Sequence, residues 1–282
     1  MAIDRADLHS HTTASDGLLT PQEVVRLAHA TGLAVVAITD HDTTAGVEAA
    51  LAEGSRLGIE VVPGVEISTT VRGKDIHILG YYPDWKNTVW QERLGQLREG
   101  RAARNEQIIA KLNQLGISIS LQEVVESAQK TGIDESVGRP HIAGVLVNKG
   151  VVATIGQAFD TLLGTGCPAF VSVPKVSPGE AMTWIREAGG AAVIAHPGLY
   201  GDDELVEQLI QEGPVGLEVY HSDHSPEDEH RYESMARRYG LIETGGSDFH
   251  GERHGEVFHG KLGNRTVALA VVEQLRSRAI KI

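Results

Sequence analysis

The chain holds 13 histidines against a single cysteine, Cys167, a balance that favours imidazole and carboxylate chemistry over thiol chemistry. His9-Ser10-His11 sets two imidazoles at i and i+2. On an extended strand such a pair projects to one face and can reach one cation. A lone His-x-His is common at strand ends, so the weight comes from what accompanies it. Asp16 follows in the next loop, His41 sits within Asp40-His41-Asp42, and Glu66, His77 and His196 each lie at or beside an apolar run. Asp248 and His250 repeat the i, i+2 spacing near the C-terminus. Nine such residues exceed what one ion takes at four to six ligands and suffice for two or three. A mixed nitrogen and oxygen set suits manganese, iron or zinc better than magnesium or calcium, which prefer oxygen.

The elements that must position these residues are legible as alternating strands and helices. Ile3–His9, Leu33–Thr39, Ile59–Ile67 and Asp75–Tyr81 read as strands, with helices opening at Thr20-Pro21 and at Thr44. From Trp90 to Leu163 strand signals vanish and four helical segments follow one another. Alternation resumes with a helix at Pro178–Gly189, a strand at Ala191–Ala195, a helix at Asp203–Glu212 and a strand at Val215–Tyr220. A helix at Pro226–Tyr239, a strand at Leu241–Thr244 and a closing helix at Arg265–Ile280 complete the chain. The pattern predicts an α/β fold with a parallel sheet, closed or nearly so, in which residues 1–89 and 164–282 form the barrel domain and 90–163 a helical insertion. In such a barrel the C-terminal strand ends converge on one face, and all nine residues would meet there.

Length and composition fit this reading. At 282 residues with 41% apolar and 22% charged residues, the chain can bury a sizeable core and is not disordered. A formal charge of −13 argues against a broad nucleic-acid-binding face, which needs clustered Lys and Arg. Three divalent ions would carry about +6 against three carboxylates, so the pocket itself can still receive an anion. No apolar run approaches a membrane span, and Asp4, Arg5 and Asp7 interrupt any leader-like segment. One cysteine permits no internal disulfide, which suits a cytoplasmic location. Asp7, Asp40 and Asp42 are candidates to orient ligand imidazoles.

Taken together, HSHTTASDG at 9–17, ITDHDT at 38–43, PGVEIS at 63–68, HILGY at 77–81, AHPG at 195–198 and GSDFHG at 246–251 resemble the PHP (polymerase and histidinol phosphatase) superfamily. The length and the helical insertion resemble its stand-alone phosphoesterases, which act on nucleoside 3′,5′-bisphosphates and short RNA 5′ ends. The resemblance implies a distorted seven-stranded (β/α) barrel and a trinuclear metal site. It assigns His9, His11, Glu66 and Asp248 to a first ion and Asp16, His41 and His250 to a second. Glu66 would bridge to a third ion held with His77 and His196. The nucleophile expected is a metal-held hydroxide, with no serine or cysteine nucleophile and an unassigned general acid.

Substrate contacts are expected from the insertion. Arg101 and Arg104 stand at i and i+3 beside Asn105, and Arg139 precedes His141 in Gly138-Arg139-Pro140-His141. Guanidinium forks suit phosphate oxygens, and the resemblance makes these residues a phosphate clamp over the metals. It further implies that the 3′-phosphate is cleaved and the 5′-phosphate anchored. Base recognition is expected to be weak, because only 5% of residues are aromatic. Tyr220, His221 and His224 could touch substrate or donate a proton, though a surface location suits His224 and His230 better. His29, His254 and His259 read as structural or solvated, and Cys167 as a buried small residue. A nucleotide or short RNA is thus the expected partner, with no membrane contact. Competing readings are a histidinol phosphate phosphatase, an amidohydrolase-type metal hydrolase, and a metal-binding or regulatory subunit without activity.

Overall fold

The apolar runs at 33–38 and 191–194 are packed on both faces, as strands of a sheet covered by helices must be. The computed structural model describes residues 3–128, 130, 134–173, 176–253 and 256–279. The first third contains β1 (Ile3–Asp7), α1 (Pro21–Ala30), β2 (Leu33–Ile38), α2 (Val47–Leu57), β3 (Glu60–Val71) and β4 (Lys74–Tyr81). Thr20 caps α1, accepting a hydrogen bond from the Glu23 backbone, and Pro21 opens the first turn. Next come α3 (Thr88–Gln114), α4 (Leu121–Ser127), α5 (Arg139–Asn148), α6 (Ile155–Ala158) and a π-helical turn at Phe159–Leu163. Then follow α7 (Pro178–Glu187), β5 (Ala191–Ile194), a 3₁₀ turn at Pro197–Tyr200, α8 (Asp203–Ile210), β6 (Gly216–His221) and α9 (Pro226–Tyr239). The chain ends with β7 (Ile242–Gly246), the short β8 (Glu252–Arg253) and β9 (Glu256–Val257), β10 (Val267–Ala268) and α10 (Leu269–Arg278). Predicted helical positions at 129, 131–133 and 280 lie outside the described residues.

The main sheet runs β10-β1-β2-β3-β4-β5-β6-β7. It curls until its ends meet: the Leu8 N–H donates to the Gly245 carbonyl at 3.2 Å, and Ser10 bridges Phe249 in parallel. The result is a nearly closed α/β barrel. Two features qualify the predicted parallel sheet. β4 runs antiparallel to both β3 and β5. Its connection to β3 is two residues, Arg72 and Gly73, both at positive φ (52° and 76°), and a type I′ turn of this kind forces an antiparallel hairpin. In addition, Val267–Ala268, predicted as helix, forms β10 antiparallel to β1.

Strand alternation separates core from chemistry. Val65, Ile67, Ile76 and Ile78 pack outward with α7 residues such as Met182 and Ile185. Glu66 and His77 therefore face the other way, into the barrel mouth. Inside, Leu8, Val35, Leu79, Tyr81 and Val193 share a cluster with Val272 and Leu275 of α10. Trp90 and Leu94 of α3 join the outward cluster, whereas the rest of α3 with α4–α6 holds a further one, including Ile108, Leu112, Val124, Ile142, Leu146 and Leu163, that shares no residue with the others.

Candidate metal centre

All nine predicted ligands converge at one end of the barrel. Glu66 is the hub. Its Oε2 lies 3.4, 3.2 and 3.1 Å from His9 Nε2, His11 Nε2 and His41 Nδ1, and its Oε1 lies 2.7 and 3.0 Å from His77 Nδ1 and His196 Nε2. Asp248 Oδ1 faces the same two imidazoles, 3.3 Å from His9 Nε2 and 3.1 Å from His11 Nε2. Asp16 stands between His250 Nε2, at 3.4 Å, and His41 Nε2, at 3.8 Å. His77 Nδ1 and His196 Nε2 are 3.3 Å apart. Three groupings emerge: His9, His11, Glu66 and Asp248; His11, Asp16, His41 and His250; and His77 and His196 around Glu66.

Backbone geometry makes this convergence possible. β1 ends at Asp7, so His9 and His11 lie just past the strand, yet their i, i+2 spacing still turns both rings to one side. A Cβ on Gly246 would stand 2.3 Å from the His9 nitrogen, so only glycine permits β7 to approach here. Asp42, His196, Asp248 and His259 adopt left-handed backbone conformations with φ of 55°, 23°, 53° and 60°. Such strain in non-glycine residues is costly and gathers at functional sites.

The donor set fits bound divalent ions. His9 Nε2, His11 Nε2, His41 Nδ1, Asp16 Oδ1 and Asp248 Oδ1 are buried and have no hydrogen-bond partner. Unsatisfied buried polar atoms are rare, and five aimed into one cluster of imidazole and carboxylate call for cations. The electrostatics agree. Burial opposes the charged form of His11, but Asp248 and Glu66 outweigh it and raise its pKa to about 10. His9 is raised likewise, against its burial. Burial would raise the carboxyls of Asp16, Glu66 and Asp248, yet the surrounding histidines hold all three well below the usual range. His196 is pushed down to about 4 by burial, which keeps its ring neutral and able to ligate.

The three aspartates expected behind the imidazoles do a different job: each holds backbone. Asp7 accepts from the N–H groups of Ser247 and Gly263 at 2.9 and 2.8 Å, and burial pushes its carboxyl up to about 6. Asp40 accepts from Thr12 and Ser15, backbone and hydroxyl alike, fixing the loop that carries Asp16. Asp42 accepts from the Ser68 N–H at 2.8 Å and pairs with Arg101. The residue that orients an imidazole is Glu218, which the sequence reading passed over. Fully buried, it sits 3.0 Å from His9 Nδ1 and accepts from the His196 N–H at 2.8 Å. It thereby places the His9 proton on Nδ1 and leaves Nε2 free to ligate. A glutamate amid the apolar run Leu217-Glu218-Val219 was the available signal.

Other histidines need correction. His224 is buried: its Nδ1 donates to the Val219 carbonyl at 2.8 Å and its Nε2 accepts from the Gly198 N–H at 3.1 Å. It latches the turn after His196. His221 Nε2 lies 3.2 Å from Asp248 Oδ2. His259, read as structural or solvated, lines the metal cavity, with Nδ1 bonded to Asp223 and Nε2 3.5 Å from Asp248. His29 and His230 are exposed, and His254 lies outside the described residues. Tyr220 turns away, its hydroxyl on Glu233 and Glu243. Cys167 is half-buried, its thiol 3.2 Å from the Asp160 carbonyl.

A cavity of about 230 Å³ lies against the cluster, and Arg101, Arg104 and Arg139 line it together with His41, His77, His196 and His250. The three differ. Arg101 is bonded to Asp42 and to the Ser68 hydroxyl, and Arg139 Nη2 pairs with Asp75 at 2.8 Å. Arg104 is 3% exposed, and its Nε has no partner. Burial, with Arg101 and Arg139 adding repulsion, pushes its pKa down to about 9. Asn105 and His141 stand behind this wall: Asn105 Nδ2 donates to the Val137 carbonyl at 2.9 Å, and His141 Nδ1 accepts from the Gly138 N–H at 3.0 Å. They shape the turn that presents Arg139. Phe159 and Phe258 also line the cavity, with ring centroids 6.4 Å apart, so two of the scarce aromatics stand at the site.

Comparison with known proteins agrees with this geometry. The PHP domain profile matches residues 7–149. The chain is 38% identical over 260 residues to a 3′,5′-nucleoside bisphosphate phosphatase of Chromobacterium violaceum, covering 90% of each chain. It is 37% identical over 251 residues to the 5′-3′ exoribonuclease Rnm of Salmonella typhimurium, covering 86% of this chain and 84% of that one. A crystal structure from Bifidobacterium adolescentis, provisionally designated a metal-dependent phosphoesterase, superposes with a TM-score of 0.89 at 32% identity, covering 98% and 97% of the two chains. With this likeness over nearly its whole length, the chain belongs to the PHP domain family and is a metal-dependent phosphoric ester hydrolase.

Proposed function

We propose that the enzyme removes the 3′-phosphate from nucleoside 3′,5′-bisphosphates, leaving the nucleoside 5′-monophosphate, and accepts short 5′-phosphorylated RNA in the same orientation. The observation that carries this is Arg104. A buried guanidinium with an unpartnered Nε, crowded by two other arginines, is a cation short of counter-charge. It stays charged at neutral pH and calls for an anion. Since it lines one cavity with the histidine cluster, a substrate with two phosphates satisfies both the arginine and the cluster.

Residues His9, His11, Glu66 and Asp248 would hold one divalent ion, and Asp16, His41 and His250 a second. Glu66, His77 and His196 would hold a third, with manganese the best match among manganese, iron and zinc. When bound, such ions supply water activation and neutralise charge developing on the phosphoryl group. The chain's own part is positioning. Glu218 holds the His9 ring by its Nδ1 proton, Asp40 fixes the Asp16 loop, and Arg104 anchors the 5′-phosphate. Residues 90–163 act as the substrate-binding cap on the barrel built from 1–89 and 164–282. No described helix is long and apolar enough to cross a membrane.

Phosphate release with Mn²⁺ present should be measured on adenosine 3′,5′-bisphosphate, adenosine 5′-monophosphate, histidinol phosphate and a short 5′-phosphorylated RNA. The bisphosphate is expected to be preferred about 100-fold over the monophosphate, from two or three charge-assisted bonds at the clamp. Adenosine 3′-monophosphate as the main product would reverse the orientation. Equal rates on mono- and bisphosphates would remove the clamp.

A further inference from the structure

Beside the metal cavity lies a second, smaller recess of about 130 Å³. The two share Asp16, Pro140, His250 and Phe258, so a group seated in the recess is contiguous with one held at the metals. Beyond that shared boundary the recess is largely apolar. Leu18 comes from the loop after β1, Val147 from α5, Ile155 from α6 and Val257 from β9. Among the described residues no lysine or arginine lines it, and the one carboxylate is Asp16. A phosphate would therefore find repulsion and no partner there.

We propose that this recess holds the nucleobase of the substrate by stacking and apolar contact, without reading the identity of the base. The inference rests on the nucleotide reading above. With phosphates at both ends of the ribose, the base is the uncharged part with two apolar faces left to place. Phe258 forms a wall common to recess and cavity, with Phe159 beyond it at 6.4 Å and an interplanar angle of 33°. Among the described residues the one side-chain hydroxyl in the recess is that of Thr154, whose Oγ1 accepts from the Gln157 N–H at 3.0 Å and keeps its own proton to donate. Asp16 and His250 are committed to the metal cluster. A single rotatable hydroxyl among the described lining side chains can donate to an acceptor of any base and does not tell bases apart, whereas every base offers a face to stack.

Equilibrium binding to the Mn²⁺-loaded protein tests this with adenosine 5′-monophosphate, uridine 5′-monophosphate and ribose 5-phosphate. Both nucleotides are expected to bind about tenfold more tightly than ribose 5-phosphate, the low end of what base–aromatic stacking supplies, and within about threefold of each other. Val147→Trp, which fills the recess, and Phe258→Ala, which removes its wall, should each shrink the advantage of the base to about twofold or less. Ribose 5-phosphate binding as tightly as the nucleotides would overturn the proposal, and so would a base advantage that survives both substitutions. A preference above tenfold between the two bases would overturn the claim of base-blind stacking.

Turnover separates this idea from the reading beneath it. If adenosine and ribose 3′,5′-bisphosphates are hydrolysed with equal kcat/KM, the bisphosphate reading stands and the recess proposal falls. If neither is hydrolysed while the nucleotides still outbind ribose 5-phosphate, the recess stands and the bisphosphate reading falls.

Discussion

Glu66 touches five imidazoles through two oxygens, which makes it the least replaceable atom pair in the site. Glu66→Gln keeps the shape but removes the charge, and turnover is expected to fall at least 100-fold, roughly the upper end of what losing a mere supporting partner costs. Far-UV circular dichroism should be unchanged; a variant with more than a tenth of native activity would displace Glu66 from the centre. Glu218 acts at one remove, through His9 Nδ1. Glu218→Gln should weaken Mn²⁺ affinity by about 10- to 100-fold, with activity recovered at saturating metal. Loss that no metal concentration restores would mean a different role. The nine residues that converge around Glu66 were legible as candidates because each sits in a short motif beside an apolar run. Glu218, His224 and His259 were harder, since their partners lie on other strands and loops, and spacing along the chain carries no trace of such contacts.

Helix α3 is pinned to the barrel mouth by Arg101, whose guanidinium holds the buried carboxylate of Asp42 and the Ser68 hydroxyl. The spacing of Arg101 and Arg104 on one helix face was readable. That the first is tied to the barrel while the second is left open was not, because Asp42 lies 59 residues away in sequence. The two should part experimentally. Arg101→Ala strands a buried carboxylate and is expected to cost about 3–5 kcal/mol of stability, seen as a lower midpoint in denaturant. Arg104→Met relieves an uncompensated buried cation, so stability should hold or rise while KM for the bisphosphate increases about tenfold or more. Similar stability losses for both would refute this division. At the same scale, the β3–β4 hairpin shows where periodicity stopped short. The strands were evident, but their antiparallel pairing depends on Arg72 adopting positive φ, a choice that residue type does not announce.

Protons and metal ions compete for the same nitrogens, and this governs the whole molecule's response to pH. His11 titrates near 6.5 when unfolded and about 10 in the ion-free fold, so its contribution to stability is full below about 6.5 and is lost as pH rises through about 10. The ion-free protein should therefore lose thermal stability between those values, whereas protein loaded with Mn²⁺ should not. Over the same interval metal affinity should rise with pH, because each ion must displace the proton. Melting curves with and without chelator from pH 6 to 9 check both; parallel curves would refute the competition. The barrel's strand order follows from its alternating segments, but its closure through Leu8 and Gly245 is a contact between chain ends that no local pattern encodes. The separate apolar cluster of the helices after β4 has a kinetic corollary. A cluster of its own can open locally while the first half of α3, held by Trp90 and Leu94 in the barrel cluster and by Arg101 on Asp42, stays in place, so amide hydrogens across residues 104–112 and 142–147 should exchange sooner than those of β2, β3 and β5. The cavity's helical wall beyond Arg104 would then loosen on a faster clock than the strands that carry Glu66 and His77.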